Sequence, residues 1–261
     1  MIENSKLKSK SIALPHFTFI LSLAFCISYN ALYAQEFSTH TDKINNVTYK
    51  TVRIGNQIWM AENLNVTRFR NGDIIPQVKT IEEWRKASSE KRAVWCYYFQ
   101  TEPKTVKIYN YWATIDPRGI APLGWRIPIK KDVNILSEEC CKYKYNKVEN
   151  KEIDSTNTAT IEEYSEYTES KYEIEENPGH ELRTVGWNEG TNASGFNAQP
   201  FGGLSYLGKT FWPDAQWWLK AEPSDPFINY MHINRGGITY SINNRLRLYG
   251  NGYPIRCIKE D

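Results

Sequence analysis

Val52-Arg53-Ile54-Gly55-Asn56-Gln57-Ile58-Trp59-Met60-Ala61-Glu62-Asn63-Leu64-Asn65 is the stretch whose hydrophobic period changes partway along. Val52, Ile54 and Ile58 have strand character on either side of Gly55-Asn56. Gly-Asn relieves positive-φ strain, so a hairpin or bulge there folds one short strand back on another and leads Trp59 and Met60 into buried contact. The segment predicts a mixed or β-rich domain and names no reaction.

The N-terminus speaks to location. Lys6, Lys8 and Lys10 precede an apolar run from Phe17 to Ile27 that ends near Ala31-Leu32-Tyr33-Ala34, with a small residue where a signal peptidase needs one. The run is shorter than the roughly 20 residues of a membrane span, so residues 1–34 are read as a signal peptide. Leu23-Ala24-Phe25-Cys26 offers a minority reading, a lipoprotein anchored in the outer membrane through Cys26, which the bulky Phe25 fits poorly. The expected location is secreted or at the cell surface of a bacterium. Residues 35–50 then read as a polar leader that carries the sequon Asn46-Val47-Thr48, and 51–261 as a single domain.

Cleavage after Ala34 leaves 227 of the 261 residues, and the chain's nine Trp and seventeen Tyr are aromatic mass enough for a sizeable core. Glu3 and the three leader lysines account for the net charge of +2, so the mature part is formally neutral. That balance points to no nucleic-acid partner and no anionic membrane. Cys96, Cys140, Cys141 and Cys257 follow the leader; in an oxidising compartment they allow three full pairings, and sequence does not choose among them. No Cys-x-x-Cys or paired His spacing accompanies them, so no metal site is expected.

Along the domain, strands are expected at Val52 to Met60 and Ala93 to Phe99. A short helix is expected around Thr80 to Ser88, capped by Thr80 with Glu82 and Glu83 at its positive end. Tyr109 to Trp125 is turn-dense and reads as an ordered loop anchored by aromatics. Residues 137–180 hold twelve Asp or Glu against five Lys and no Trp or Phe, and are read as a solvated acidic insertion. From Trp187 onward the pattern is short strands and turns, closing on Tyr253-Pro254-Ile255-Arg256-Cys257-Ile258.

No motif for common catalysis is found, and no cofactor is expected. His40, His180 and His232 are scattered without a metallohydrolase spacing. Gly203-Leu204-Ser205-Tyr206-Leu207-Gly208 has Leu where a nucleophile elbow needs Gly, and reads as a strand connection. What remains is an aromatic and amide-rich C-terminal set, from which Tyr230, Asn234, Tyr240, Asn243, Asn244, Arg245, Arg247 and Tyr249 are the candidate ligand-binding residues. Such side chains stack on sugars or anchor protein partners at low entropic cost. Trp217 and Trp218 are adjacent, and alternation along a strand sends one inward and the other outward. Burial is expected for one of that pair, together with Trp59, Trp112 and Trp125.

The blocks Val52 to Asn65, Trp95-Cys96-Tyr97-Tyr98, Tyr109-Asn110-Tyr111-Trp112-Ala113, Pro122 to Pro128, Gly195-Phe196-Asn197-Ala198, Trp217-Trp218 and Ile255-Arg256-Cys257 occur in this order. Together they resemble the Fibrobacter succinogenes major paralogous domain over about Thr51 to Ile258. The resemblance implies an exported, often lipid-anchored bacterial surface protein. It also implies an α+β fold related to C-type lectins and the formylglycine-generating-enzyme group, with short, mostly antiparallel strands, few helices and long ordered loops. Three departures stand out: Ala121 where many members carry Cys, Leu219-Lys220 after the Trp pair, and the acidic insertion. The calcium tripeptides of lectins are absent, and Gln199-Pro200-Phe201 lacks the carboxylate, so calcium-dependent sugar binding is not expected.

The expected function is an exported surface binding module for an extracellular glycan or protein. The alternative is a glycan-active enzyme with a carboxylate pair drawn from Glu62, Asp116, Asp214 and Glu222, whose chemistry needs two carboxyls about 5 to 10 Å apart. A third reading is a purely structural envelope protein.

Overall fold

The Gly55-Asn56 turn forms as expected. β2 (Val47–Ile54) and β3 (Gln57–Met60) pair antiparallel with Ile54 opposite Gln57. Gly55 takes a φ of 56° at the first central position, where a type II′ turn places glycine. The computed structural model describes residues 35–98, 106–141, 179–211, 214–222, 228–243 and 249–260, with backbone only at 141, 211, 228 and 240–243. These belong to the unit Gln35–Asp261, and the unit Met1–Ala34, with the signal-peptide and Cys26 readings, lies outside the described residues.

The stretch 35–50, expected as a leader, contains β1 (Phe37–Asp42), which pairs with β2 from Phe37 opposite Val52 to Asp42 opposite Val47. It reads as polar because β1 is the outer strand of its sheet and only Asp42 in it is buried. The order continues through β3 to β13 (Ile258–Lys259) and β6 (Trp125–Arg126), so the closing strand lies between the first hairpin and the middle of the chain. A second sheet holds β9 (Ala215–Leu219), β10 (Ile228–Asn234) and β11 (Gly237–Asn243), with β10 central. A third runs β4 (Trp95–Cys96), β5 (Ile108–Asn110), β12 (Gly252–Tyr253), β7 (Gly203–Leu204) and β8 (Thr210–Phe211). The named strand pairs are all antiparallel. The expected strand at Ala93 to Phe99 is only β4, and Phe99 lies outside the described residues. The near-miss nucleophile elbow is the β7 to β8 turn.

α1 (Ile81–Ser89) starts on a full capping box: Thr80 accepts from the Glu83 amide, while the Glu83 carboxylate reaches back to the Thr80 amide. α2 (Tyr111–Ile115) is a single short turn capped by Asn110, set in the region expected as a loop. α3 (Lys130–Cys141) was not foreseen. Its Val133, Leu136 and Cys140 are buried, and so is Ser137, so the acidic stretch expected to start at 137 begins with helix that belongs to the core. Residues 142–178 lie outside the described residues.

Both Trp217 and Trp218 are buried, which corrects the expectation of one inward and one outward side chain. The alternation itself holds. Trp217 belongs to the cluster that holds Trp59, Phe196, Val133 and Leu136, whereas Trp218 belongs to the one that holds Tyr109, Tyr111, Trp125 and Tyr253. β9 carries core on both faces, so neither face is left for solvent. Trp59 and Trp125 are buried as expected, and Trp112 is only half-buried, stacked on Tyr249. Cys257, Cys140 and Cys96 belong to three different core clusters and are not joined to one another, while the Cys141 side chain lies outside the description. The closing segment is not one strand. It breaks at Pro254 into β12 and β13 in different sheets, since proline has no N–H for a ladder.

Candidate functional site

After β3 the chain runs Ala61-Glu62-Asn63-Leu64-Asn65-Val66 without regular structure, yet its backbone is held at nearly every step. Ala61 N donates to Lys50 O, Leu64 N to Ile255 O, Asn65 N to the Tyr49 hydroxyl and Val66 N to the Tyr109 hydroxyl. The Tyr109 hydroxyl is within reach of the Leu64 and Val66 carbonyls as well. A loop tied by two buried tyrosines presents fixed side chains, and here these are Glu62, Asn63 and Asn65.

They line a cleft of about 490 Å³ together with Lys107, Asn197, Gln199 and Arg256. That volume suits a small ligand. Arg256 is 2% exposed. Its Nη2 donates to Asn63 Oδ1 at 2.8 Å, its Nη1 to the Phe196 carbonyl, and its guanidinium lies 4.6 Å from the Phe196 ring centroid and 4.8 Å from that of Trp217. The same Asn63 oxygen accepts from Trp217 Nε1 at 2.7 Å. Burial pulls the Arg256 pKa down to about 9, against an upward pull from Glu62. The guanidinium is thus held by carbonyls and π-faces, with no carboxylate bound to it among the described residues.

Lys107 is 8% exposed. Its ammonium donates to Asn65 Oδ1 and lies 5.0 Å from the Trp95 ring centroid and 5.7 Å from that of Tyr97. Burial lowers its pKa from the ordinary lysine value. Glu62 Oε2 accepts from the Lys50 amide at 2.7 Å. The side-chain amides of Asn197 and Gln199 make no hydrogen bond among the described residues.

Of the expected ligand residues, Tyr230, Asn234 and Tyr249 do not line this cleft. Tyr230 is half-buried and stacked on Tyr253 with centroids 4.9 Å apart, and Tyr249 stacks on Trp112 at 5.4 Å. Asn234 closes the β10 to β11 turn, its Oδ1 accepting from Gly236 N and its carbonyl from Arg183 Nη1. Tyr240 and Asn243 lie on β11 with their side chains outside the description, and Asn244, Arg245 and Arg247 lie outside the described residues. Tyr230, Asn234 and Tyr249 are thus occupied in packing or turn closure.

The proposed carboxylates also separate. Glu62 is in the cleft, whereas Asp116 is paired with Arg118 at 2.8 Å, which holds its carboxyl below the usual range. Asp214 Oδ2 is 3.7 Å from His232 Nδ1, and Glu222 acts electrostatically on Lys130. None of these three lines the cleft. A second hollow of about 460 Å³ contains His40, Arg68 and Arg70, but Arg70 is engaged by the carbonyls of Ala121, Pro122 and Trp125. Among the described residues, no group of three or more His, Cys, Asp or Glu is placed to hold a metal ion.

Of the cleft residues, Lys107, Asn63, Asn65, Asn197, Gln199 and Arg256 were missed as a site. Their one sequence signal is that most fall inside or beside the aromatic blocks that mark the fold. No curated protein and no solved structure matches the chain. The model of the Fibrobacter succinogenes major domain matches residues 52–259, from β2 to the closing strand. The chain belongs to the Fibrobacter succinogenes major domain family.

Proposed function

We propose that this protein is an exported surface binding module that takes a carbohydrate in the cleft between the Glu62 to Asn65 loop, Lys107 and Arg256. The observation that carries the reading is a set of polar groups held on a rigid frame with hydrogen-bonding capacity to spare, the side-chain amides of Asn197 and Gln199 above all. An amide both donates and accepts, as a sugar hydroxyl does, and a frame ordered in advance spares the ligand the cost of ordering it. A single carboxylate, Glu62, lines the cleft among the described residues, which favours binding over two-carboxylate hydrolysis. The closing strand between β3 and β6 supports a C-type-lectin-like arrangement of the domain.

A glycan array probed with the chain and with an Asn197→Ala, Gln199→Ala double variant tests this. Retention of a glycan that the variant loses at unchanged melting temperature supports the site. Equal retention by both proteins, or no retention by either, rejects it.

A further inference from the structure

Among the described residues, no carboxylate pairs with Lys107. The residue is 8% exposed and lines the cleft. The Trp95 and Tyr97 rings cover part of its ammonium, and among the described residues Asn65 Oδ1 is its one hydrogen-bond acceptor. An ammonium has three donors, so the described residues leave two of them for a ligand. Burying a cation without a partner is costly, and the cost falls when an anion arrives. With Arg256 also cationic and Glu62 the one acid, the described lining carries a formal +1.

We infer that Lys107 receives the carboxylate of an acidic saccharide, a uronate unit, whose hydroxyls meet the amides of Asn65, Asn197 and Gln199. The inference rests on the cleft being a saccharide site. The ammonium to carboxylate contact is a charge-assisted hydrogen bond, roughly twice as strong as a neutral one, made where little water screens it. An acidic peptide would satisfy Lys107 equally but has few hydroxyls to use the paired donors and acceptors of the three amides. The saccharide is therefore the better fit.

The test is calorimetric titration of the chain with a trigalacturonate, with the neutral galactose trisaccharide, and with a short poly-aspartate peptide. The expected result is uronate binding about tenfold or more tighter than the neutral sugar. That preference should shrink as salt rises from about 50 to 500 mM. It should vanish in Lys107→Met and return in part in Lys107→Arg. Equal affinity of the wild type for both sugars overturns the uronate inference and leaves the binding-module reading standing. Binding of neither sugar overturns both. Tighter binding of the peptide than of the uronate, or a preference that survives Lys107→Met, overturns the assignment of Lys107. The wild-type ratio and its salt dependence decide the matter even where a variant fails to fold.

Discussion

Asn63 and Arg256 are 193 residues apart in the chain, and Arg256 Nη2 lies 2.8 Å from Asn63 Oδ1. That oxygen also accepts from Trp217 Nε1. One amide therefore joins the loop after β3, the Trp-Trp strand and the closing segment. It lines the cleft and satisfies donors of two buried side chains.

Asn63→Ala strands both donors, and a buried unsatisfied group costs about 1 to 3 kcal/mol, more when charged. The expected loss is about 3 kcal/mol or more, read from urea unfolding. Asn63→Asp gives the guanidinium a carboxylate and should lose much less. Equal losses in the two variants would show that the amide does not hold Arg256.

Alkaline pH should unfold the protein. Burial pushes up the pKa values of Tyr49, Tyr98, Tyr109, Tyr111 and Tyr253, and of the Cys96 and Cys257 thiols. A group whose folded pKa is raised stabilises fully below its unfolded value and loses that contribution as pH climbs above it. Arg256, Lys107 and Lys130 work the other way, their lowered pKa values adding stability as pH rises, from about 9 for Arg256, but they are three groups against seven. Stability should fall from about pH 9 upward, by about 1.4 kcal/mol per pH unit for each group titrating. Tyr253→Phe should flatten the slope above about pH 10. A urea midpoint unchanged between about pH 8 and pH 11 would refute this.

Trp217→Ala and Trp218→Ala should each cost about 3 to 5 kcal/mol in chemical denaturation, because each empties a different core. If Trp218 alone proves costly, the cluster around Trp59 and Phe196 is not closed by β9.

Tyr109→Phe removes the hydroxyl that ties Val66 N and the Leu64 and Val66 carbonyls. The expected cost is about 1 to 3 kcal/mol. Because the same loop carries Asn63 and Asn65, glycan affinity should drop together with stability. A loss of stability at constant affinity would detach the loop from recognition.

Local rules were legible along the chain wherever the chain answers them alone. The Gly55-Asn56 hairpin, the Thr80 cap of α1 and the short strands after Trp187 follow from turn chemistry, capping and alternation. β1 hid because an outer strand with little buried surface looks like a polar leader. α3 hid because its helix continues into the acidic stretch, so the change in composition at residue 137 is not the end of the element.

Family membership, the β-rich domain with few helices and the aromatic core are thus determined by sequence alone, since they depend on spacing and residue type. Tertiary structure decided that both Trp217 and Trp218 are inside, because the covering of a strand's second face depends on what other segments supply. It also decided the candidate site. Asn63, Lys107, Asn197 and Arg256 converge only through the pairing of β13 with β3 and the ties of Tyr49 and Tyr109, and no local pattern records a meeting of residues so far apart.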